Sequence, residues 1–197
     1  MQKSILGPWA NIEERLIQTP EVLARKLAAF RELKMKVGLT SGAFDMKHVG
    51  HERYLALAKQ TCDVLVVGVD TDEKVRRRKG PHRPVVPEME RFEQVCHTRY
   101  ADIVVPKGPD EPRWNLIKLV SPDVLIVSER EYADGDASGE LQELVSSWGG
   151  KVELLPSQAE TSTTARLRML MVENLAQAET KMVELFQQLR GAIGVSR

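Results

Sequence analysis

The stretch Leu39-Thr-Ser-Gly-Ala-Phe-Asp-Met-Lys-His48-Val-Gly50-His51 governs how the rest of the chain is read. It begins at the end of a short apolar run and leads into a helical pattern near residues 49–60. Gly42 and Ala43, flanked by Ser41 and Phe44, leave room for backbone to approach a phosphate. A helix beginning near Val49 offers free N–H groups and the positive end of its dipole. His48 and His51 stand three residues apart, so they face the same spot across the first turn. Gly50 between them puts no side chain in a ligand's way. Two imidazole donors beside an anion-binding helix end suit a reaction that builds negative charge on phosphorus. Other readings stay open at this point. His51 falls on the row of Leu55 and Ala58, where a packed core histidine also fits. A metal site would need a third ligand, and none is apparent nearby.

Moving outward, short apolar runs alternate with helical patterns. Val37 to Thr40, Val64 to Val69, Ile103 to Val105, Val124 to Val127 and Val152 to Leu155 read as strands. They lack polar alternation, as expected when both faces of a sheet are buried. Helical patterns lie between them near 49–60, 87–98, 112–120 and 137–148. This alternation implies βαβ units and an α/β fold, a Rossmann-like doubly wound five-stranded parallel sheet. Ligands bind such sheets at the carboxyl ends of the strands.

The sequence also carries helical extensions at both ends. Thr19-Pro20-Glu21 opens a helix, and Val22, Leu23, Leu27, Phe30 and Leu33 continue it to about residue 34. In the tail, Met171, Leu175, Ala178, Met182, Leu185 and Leu189 alternate steps of four and three, an a/d seam. That seam either packs on its own domain or forms a homodimer through the C-terminal helix. The expected organisation is an extension over 1–35, a core domain over 36–170 and a terminal helix over 171–197.

Composition narrows the function. Lys plus Arg and Asp plus Glu each number 28, so the net charge is zero. A general nucleic-acid or membrane-surface binder needs a basic excess, so neither partner is expected. Cys62 and Cys96 are too far apart for a metal knuckle or a redox pair and read as reduced, buried thiols. With no secretory signal visible and no long apolar span, the chain is expected in the cytoplasm.

Gly42-Ala-Phe-Asp45 followed by His48-Val-Gly-His51 resembles the GxFDxxHxGH signature of the cytidylyltransferase-like nucleotidyltransferases. The resemblance continues through Tyr54, Val66 to Asp72, Val75 to Arg83, Glu90-Arg91, Arg99 to Asp102, Pro122 to Ile126 and Thr161 to Thr164. Within the family it is nearest to the adenylyltransferase domain of bacterial ADP-heptose synthases. The likeness implies transfer of a nucleoside monophosphate from an NTP to a phosphorylated small molecule, with release of pyrophosphate. It gives His48 and His51 contact with the triphosphate and makes Lys79 a phosphate-binding residue. It also places Arg91 and Arg99 near the nucleotide, and Ser162, Thr163 and Thr164 at a phosphate-binding helix start. Mg²⁺ is the implied cofactor, held mainly by nucleotide phosphates and water, with Asp45 as its one candidate protein ligand.

Two departures bear on substrate. Where the heptose enzymes carry KGGD after the fourth strand, this chain reads Ser128-Glu-Arg-Glu131. That change bears on the acceptor. The cytidylyltransferases also place an arginine before their STT, and Pro156 to Thr161 holds none, which favours ATP over CTP. The alternatives are a CTP-dependent enzyme acting on a polyol phosphate, a non-catalytic nucleotide sensor or interaction module, and a fragment resembling a class I aminoacyl-tRNA synthetase.

Overall fold

The computed structural model describes residues 12–109, 113–129, 138–156, 158 and 163–192. The strands are β1 (Val37–Gly42), β2 (Val64–Asp70), β3 (Ile103–Lys107), β4 (Val124–Ser128) and β5 (Lys151–Leu155). They form one parallel sheet in the order β3-β2-β1-β4-β5. The helices are α1 (Ile12–Arg15), α2 (Pro20–Glu32), α3 (Val49–Gln60), α4 (Asp72–Lys79), α5 (Glu88–Cys96), α6 (Asn115–Val120), α7 (Ser138–Ser146) and α8 (Thr163–Ala192). The expected five-stranded doubly wound sheet is therefore the observed one.

Both faces of the sheet are covered. On one, Leu39, Val66, Ile103 and Val105 pack with Leu23, Leu27 and Phe30 of α2 and Leu116 of α6. On the other, Leu65, Val67, Val69 and Val104 pack with Leu55 and Ala58 of α3 and Phe92 and Val95 of α5. Every residue of β2 is buried, which is why that run shows no polar alternation. Asp102 secures the lower rim, accepting the Leu65 N–H at 2.7 Å and the Lys59 ammonium at 2.5 Å. Cys96 is buried and Cys62 half-buried; burial pushes their thiols up to about 12 and about 11, so both stay protonated at neutral pH.

By contacts the chain forms compact units Met1–Ala159 and Glu160–Arg197, so α2 falls in the same unit as the sheet. Leu23, Leu27 and Phe30, spaced four and three, bury the inner stripe of α2 in the sheet's own core. Leu33 lies past the helix end and is exposed. One further helix, α4, is foretold by no apolar pattern. It buries only Val75. Thr71 Oγ1 accepts the Lys74 N–H at its start, acids fill the first turn and bases the last. Ion pairs at i,i+4 join Asp70 to Lys74, Asp72 to Arg76 and Glu73 to Arg77.

If α2 is a core element, Leu27→Ala should cost about 2–5 kcal/mol in urea denaturation. A loss below about 1 kcal/mol would return α2 to the status of an appendage.

Candidate active site

The sheet splits at its carboxyl edge. β1 and β4 pair only through Gly38 with Val124 and Leu39 with Leu125, although β1 runs on to Gly42 and β4 to Ser128. This is also where strand order reverses, the position at which open α/β sheets take ligands. Tyr54 of α3 spans the split, its hydroxyl 2.9 Å from Thr40 Oγ1 and donating to the Ile126 carbonyl at 3.3 Å. The crevice thus has a polar floor fixed by three elements.

The loop after β1 carries the two histidines to the start of α3. His48 is the N-cap, and the Gly50 N–H donates to its Nδ1 at 3.1 Å. In return, the His48 N–H donates to Nδ1 of His51 at 3.2 Å. An N–H can only donate, so each Nδ1 must present a lone pair, and each neutral ring carries its proton on Nε2. The ring centroids are 4.2 Å apart, and Phe44 packs against His51 at 5.6 Å. Phe44 is buried in the core, so it orients His51 from behind. Its φ of 49° and that of Met46, 48°, lie in the left-handed region, where non-glycine residues concentrate at constrained sites.

Burial pushes the His51 imidazole down to about 4, and the positive charge of Lys47 and Lys79, and of His48 when protonated, pushes the same way against an opposing effect of Asp45. His51 is therefore neutral at pH 7. Lys79, exposed at the end of α4, is near enough to take part in that field. The structure thus brings His48, His51 and Lys79 into one electrostatic neighbourhood beside Ser41, Gly42 and Ala43. The nearest atoms to an added Cβ on Gly42 would be those of the Phe44 ring, at 3.4 Å, an ordinary contact.

Other expected site residues have different work. Arg91 is fully buried and donates from Nε to the Val86 carbonyl, from Nη1 to the carbonyls of Ala43 and Asp70, and from Nη2 to Asp72. With its guanidinium engaged in this way it is a strut joining the ends of β1 and β2, not a nucleotide ligand. Arg99 is exposed on the connection entering the amino end of β3, whereas the histidines follow the carboxyl end of β1. Strand direction separates it from the candidate site.

Asp45 is also reassigned. Its carboxylate accepts Arg83 Nε at 2.7 Å, Arg83 Nη2 at 2.6 Å, and the N–H groups of Val85 and Val86. Burial alone would raise its pKa, but the Val86 and Val85 N–H groups and the Arg83 charge outweigh that and hold it below the ordinary value. Both oxygens are occupied by donors of this chain, so Asp45 clamps the 83–86 loop and does not suit a magnesium ligand. Among the described residues no cluster of three or more His, Cys, Asp or Glu could hold a metal ion. Ser162 lies outside the described residues, and Thr163 and Thr164 open α8, their side chains likewise outside them. Of the departure at the end of β4, Ser128 is half-buried and Glu129 exposed, while Arg130 and Glu131 lie outside the described residues.

Three residues to which sequence reasoning gave no role are Tyr54, Arg83 and Lys107. The last reaches from the end of β3 to donate to Ser41 Oγ at 3.0 Å. A lysine at the end of an apolar strand was the available signal.

Comparison with known proteins gives the family and the fold. A family model described as cytidylyltransferase-like matches residues 39–174. The bifunctional protein HldE of Nitrobacter hamburgensis is 37% identical over 169 residues, covering 85% of this chain and 34% of that protein. HldE of Paramagnetospirillum magneticum is 42% identical over 141 residues, covering 70% and 28%. The chain spans about a third of the length of these curated relatives. Among solved structures, the lipopolysaccharide core biosynthesis protein of Thermoplasma volcanium shares the fold at a TM-score of 0.52 and 24% identity, over 64% of this chain and 99% of that one. Pantoate-beta-alanine ligase of Francisella tularensis shares it at 0.54 and 14%, over 74% and 68%.

The His51 shift has a signed consequence. Between pH 6.5 and about 4 the unfolded chain binds a proton at His51 that the folded chain does not. The contribution is complete above pH 6.5 and is lost as pH falls towards 4, by up to about 3 kcal/mol. Urea denaturation at pH 7 and pH 5 should show a smaller pH-dependent loss in His51→Gln than in the parent chain. Equal losses would contradict a buried neutral His51.

Proposed function

The chain belongs to the cytidylyltransferase-like family, and on that footing we propose that it transfers AMP from ATP to a phosphorylated sugar or similar small molecule, releasing pyrophosphate. The observation that carries this reading is the pair of imidazoles whose Nδ1 atoms are both engaged by backbone N–H groups at the start of α3. Each neutral ring then carries its proton on Nε2, the tautomer that can donate to an oxygen on phosphorus. Preference for ATP rests on the stretch Pro156 to Thr161, which lacks the arginine of the CTP enzymes.

The chemistry needs little from the protein beyond placement. The acceptor's phosphate is already anionic, so no general base is required. Its oxygen forms a bond to the α-phosphorus of ATP, the bond from that phosphorus to the bridging oxygen breaks, and pyrophosphate leaves with the electron pair. His48 and His51 donate to the oxygens on which charge builds, and Lys79 attracts the leaving pyrophosphate. A neutral His51 suits this task, since it donates without giving up a proton. Because Asp45 does not fit a magnesium ion, we propose that magnesium enters with the nucleotide, held by triphosphate oxygens and water.

His51→Ala should lower turnover by about 10²–10³-fold in a pyrophosphate-release assay with sugar phosphates, run in parallel with ATP and CTP. Unchanged turnover in a folded variant would refute the donor role. Faster release with CTP than with ATP would reverse the nucleotide assignment.

The same reading includes a homodimer through α8. The seam residues Met171, Leu175, Met182, Leu185 and Leu189 are all exposed, and no described helix is long and apolar enough to cross a membrane. A second copy of the seam would cover them. Light scattering should give twice the chain mass for the parent protein and the single mass for Leu175→Glu/Leu185→Glu. A monomeric parent would contradict the dimer.

A further inference from the structure

We propose that Lys107 and Ser41 form the subsite for the acceptor's phosphate, so that the nucleophile is delivered from the face of the sheet opposite α3. This rests on the nucleotidyl-transfer reading above and adds to it the place and chemistry of the second substrate, a phosphomonoester.

Strand alternation separates two sets of donors. Leu39 and Ser41 of β1 point to the face covered by α2 and α6, as do Val66 and Gly68 of β2 and Val105 and Lys107 of β3. The helix bearing the histidines packs on the other face, with Leu55 and Ala58 against Leu65, Val67 and Val69. The end of β1 is therefore flanked by imidazoles on one side of the sheet and by a lysine–serine pair on the other. In-line displacement at phosphorus requires the entering and leaving groups to lie on opposite sides of the reacting atom. Two donor sets on opposite sides of one strand end meet that demand.

The route taken by Lys107 is specific to this chain's packing. β3 is two strands from β1, with β2 between them. Lys107 passes beside Gly68 of β2, where an added Cβ would make an ordinary 3.7 Å contact with Lys107 Cδ but would meet Leu116 Cδ2 at 2.6 Å and Ser41 Cβ at 3.1 Å. The stem is half-buried, and the ammonium ends 3.0 Å from Ser41 Oγ. A lysine that meets a hydroxyl at a ligand-binding edge is suited to a phosphate, which takes a point charge and a hydroxyl donor together.

The test uses the full chain, a non-hydrolysable ATP analogue with Mg²⁺, and inorganic phosphate as probe. Thermal midpoints are measured with the analogue alone, then at saturating analogue with phosphate titrated against a chloride control of equal ionic strength. The parent chain should gain stability in both steps. Lys107→Gln should keep the analogue-dependent gain and bind phosphate about tenfold or more weakly, and Lys107→Arg should restore the phosphate response. The retained nucleotide response shows that the variant is folded. A parent chain that ignores phosphate, or a Lys107→Gln chain that responds like the parent, would overturn the acceptor subsite and leave nucleotidyl transfer standing. Loss of the analogue response in Lys107→Gln would assign Lys107 to the nucleotide and also overturn the proposal. A parent chain with no analogue response would overturn the nucleotidyl-transfer reading itself.

Discussion

The first turn of α3 is closed by an exchange between two histidines: Gly50 donates to His48, and the His48 backbone donates to His51. A helix start always leaves N–H groups without partners, and side-chain oxygens usually meet them. Here imidazole nitrogens do so, which ties a structural necessity to a chemical one. The bonds that cap the helix also fix both tautomers. Burial and nearby positive charge keep His51 neutral, so its tautomer is stable across the physiological range. Losing either cap bond would free a ring to rotate and the helix end to fray together.

The surrounding structure holds that turn in place against the sheet. Arg91 draws the Ala43 and Asp70 carbonyls to one guanidinium, so the loops leaving β1 and β2 keep a common origin. Asp45 fastens the 83–86 loop through Arg83 and two N–H groups. Asp70, buried at the end of β2, lies 3.6 Å from Lys74 Nζ and 3.1 Å from Arg78 Nη2, anchoring the helix that carries Lys79. These polar contacts are sheltered at the carboxyl edge, where breaking one partner leaves a buried charge or carbonyl unpaired and costs more than a surface contact would. The apolar core below needs only to keep the sheet rigid.

What could be read from the sequence follows the same division. Strands buried on both faces announce themselves as runs such as Val64 to Val69, and the five expected strands match the five observed within a few residues. The histidine pair was legible because helix geometry makes a three-residue spacing a shared face. α4 was not, because Val75 is its one buried residue and i,i+4 charge pairs stabilise it; a charge-pattern reading would have found it. Arg91, Arg99 and Asp45 could be placed near the motif by order along the chain, but order does not say which way a side chain is spent. Arg91 is consumed by carbonyls, Asp45 by Arg83, and Arg99 enters the wrong end of a strand. Lys107 could be seen at the end of a strand, but its meeting with Ser41 could not, because it depends on β2 alone lying between their strands.

The account's central claim is that the two histidines at the head of α3 serve transfer of a nucleoside monophosphate to a phosphate acceptor. Phosphorus-31 NMR of the chain mixed with ATP, Mg²⁺ and a panel of sugar phosphates tests it most directly. The expected result is pyrophosphate appearing together with the paired doublets of a new diphosphate diester, in equal amounts. Orthophosphate release without a diester, or bound ATP that stays intact with every acceptor, would contradict it.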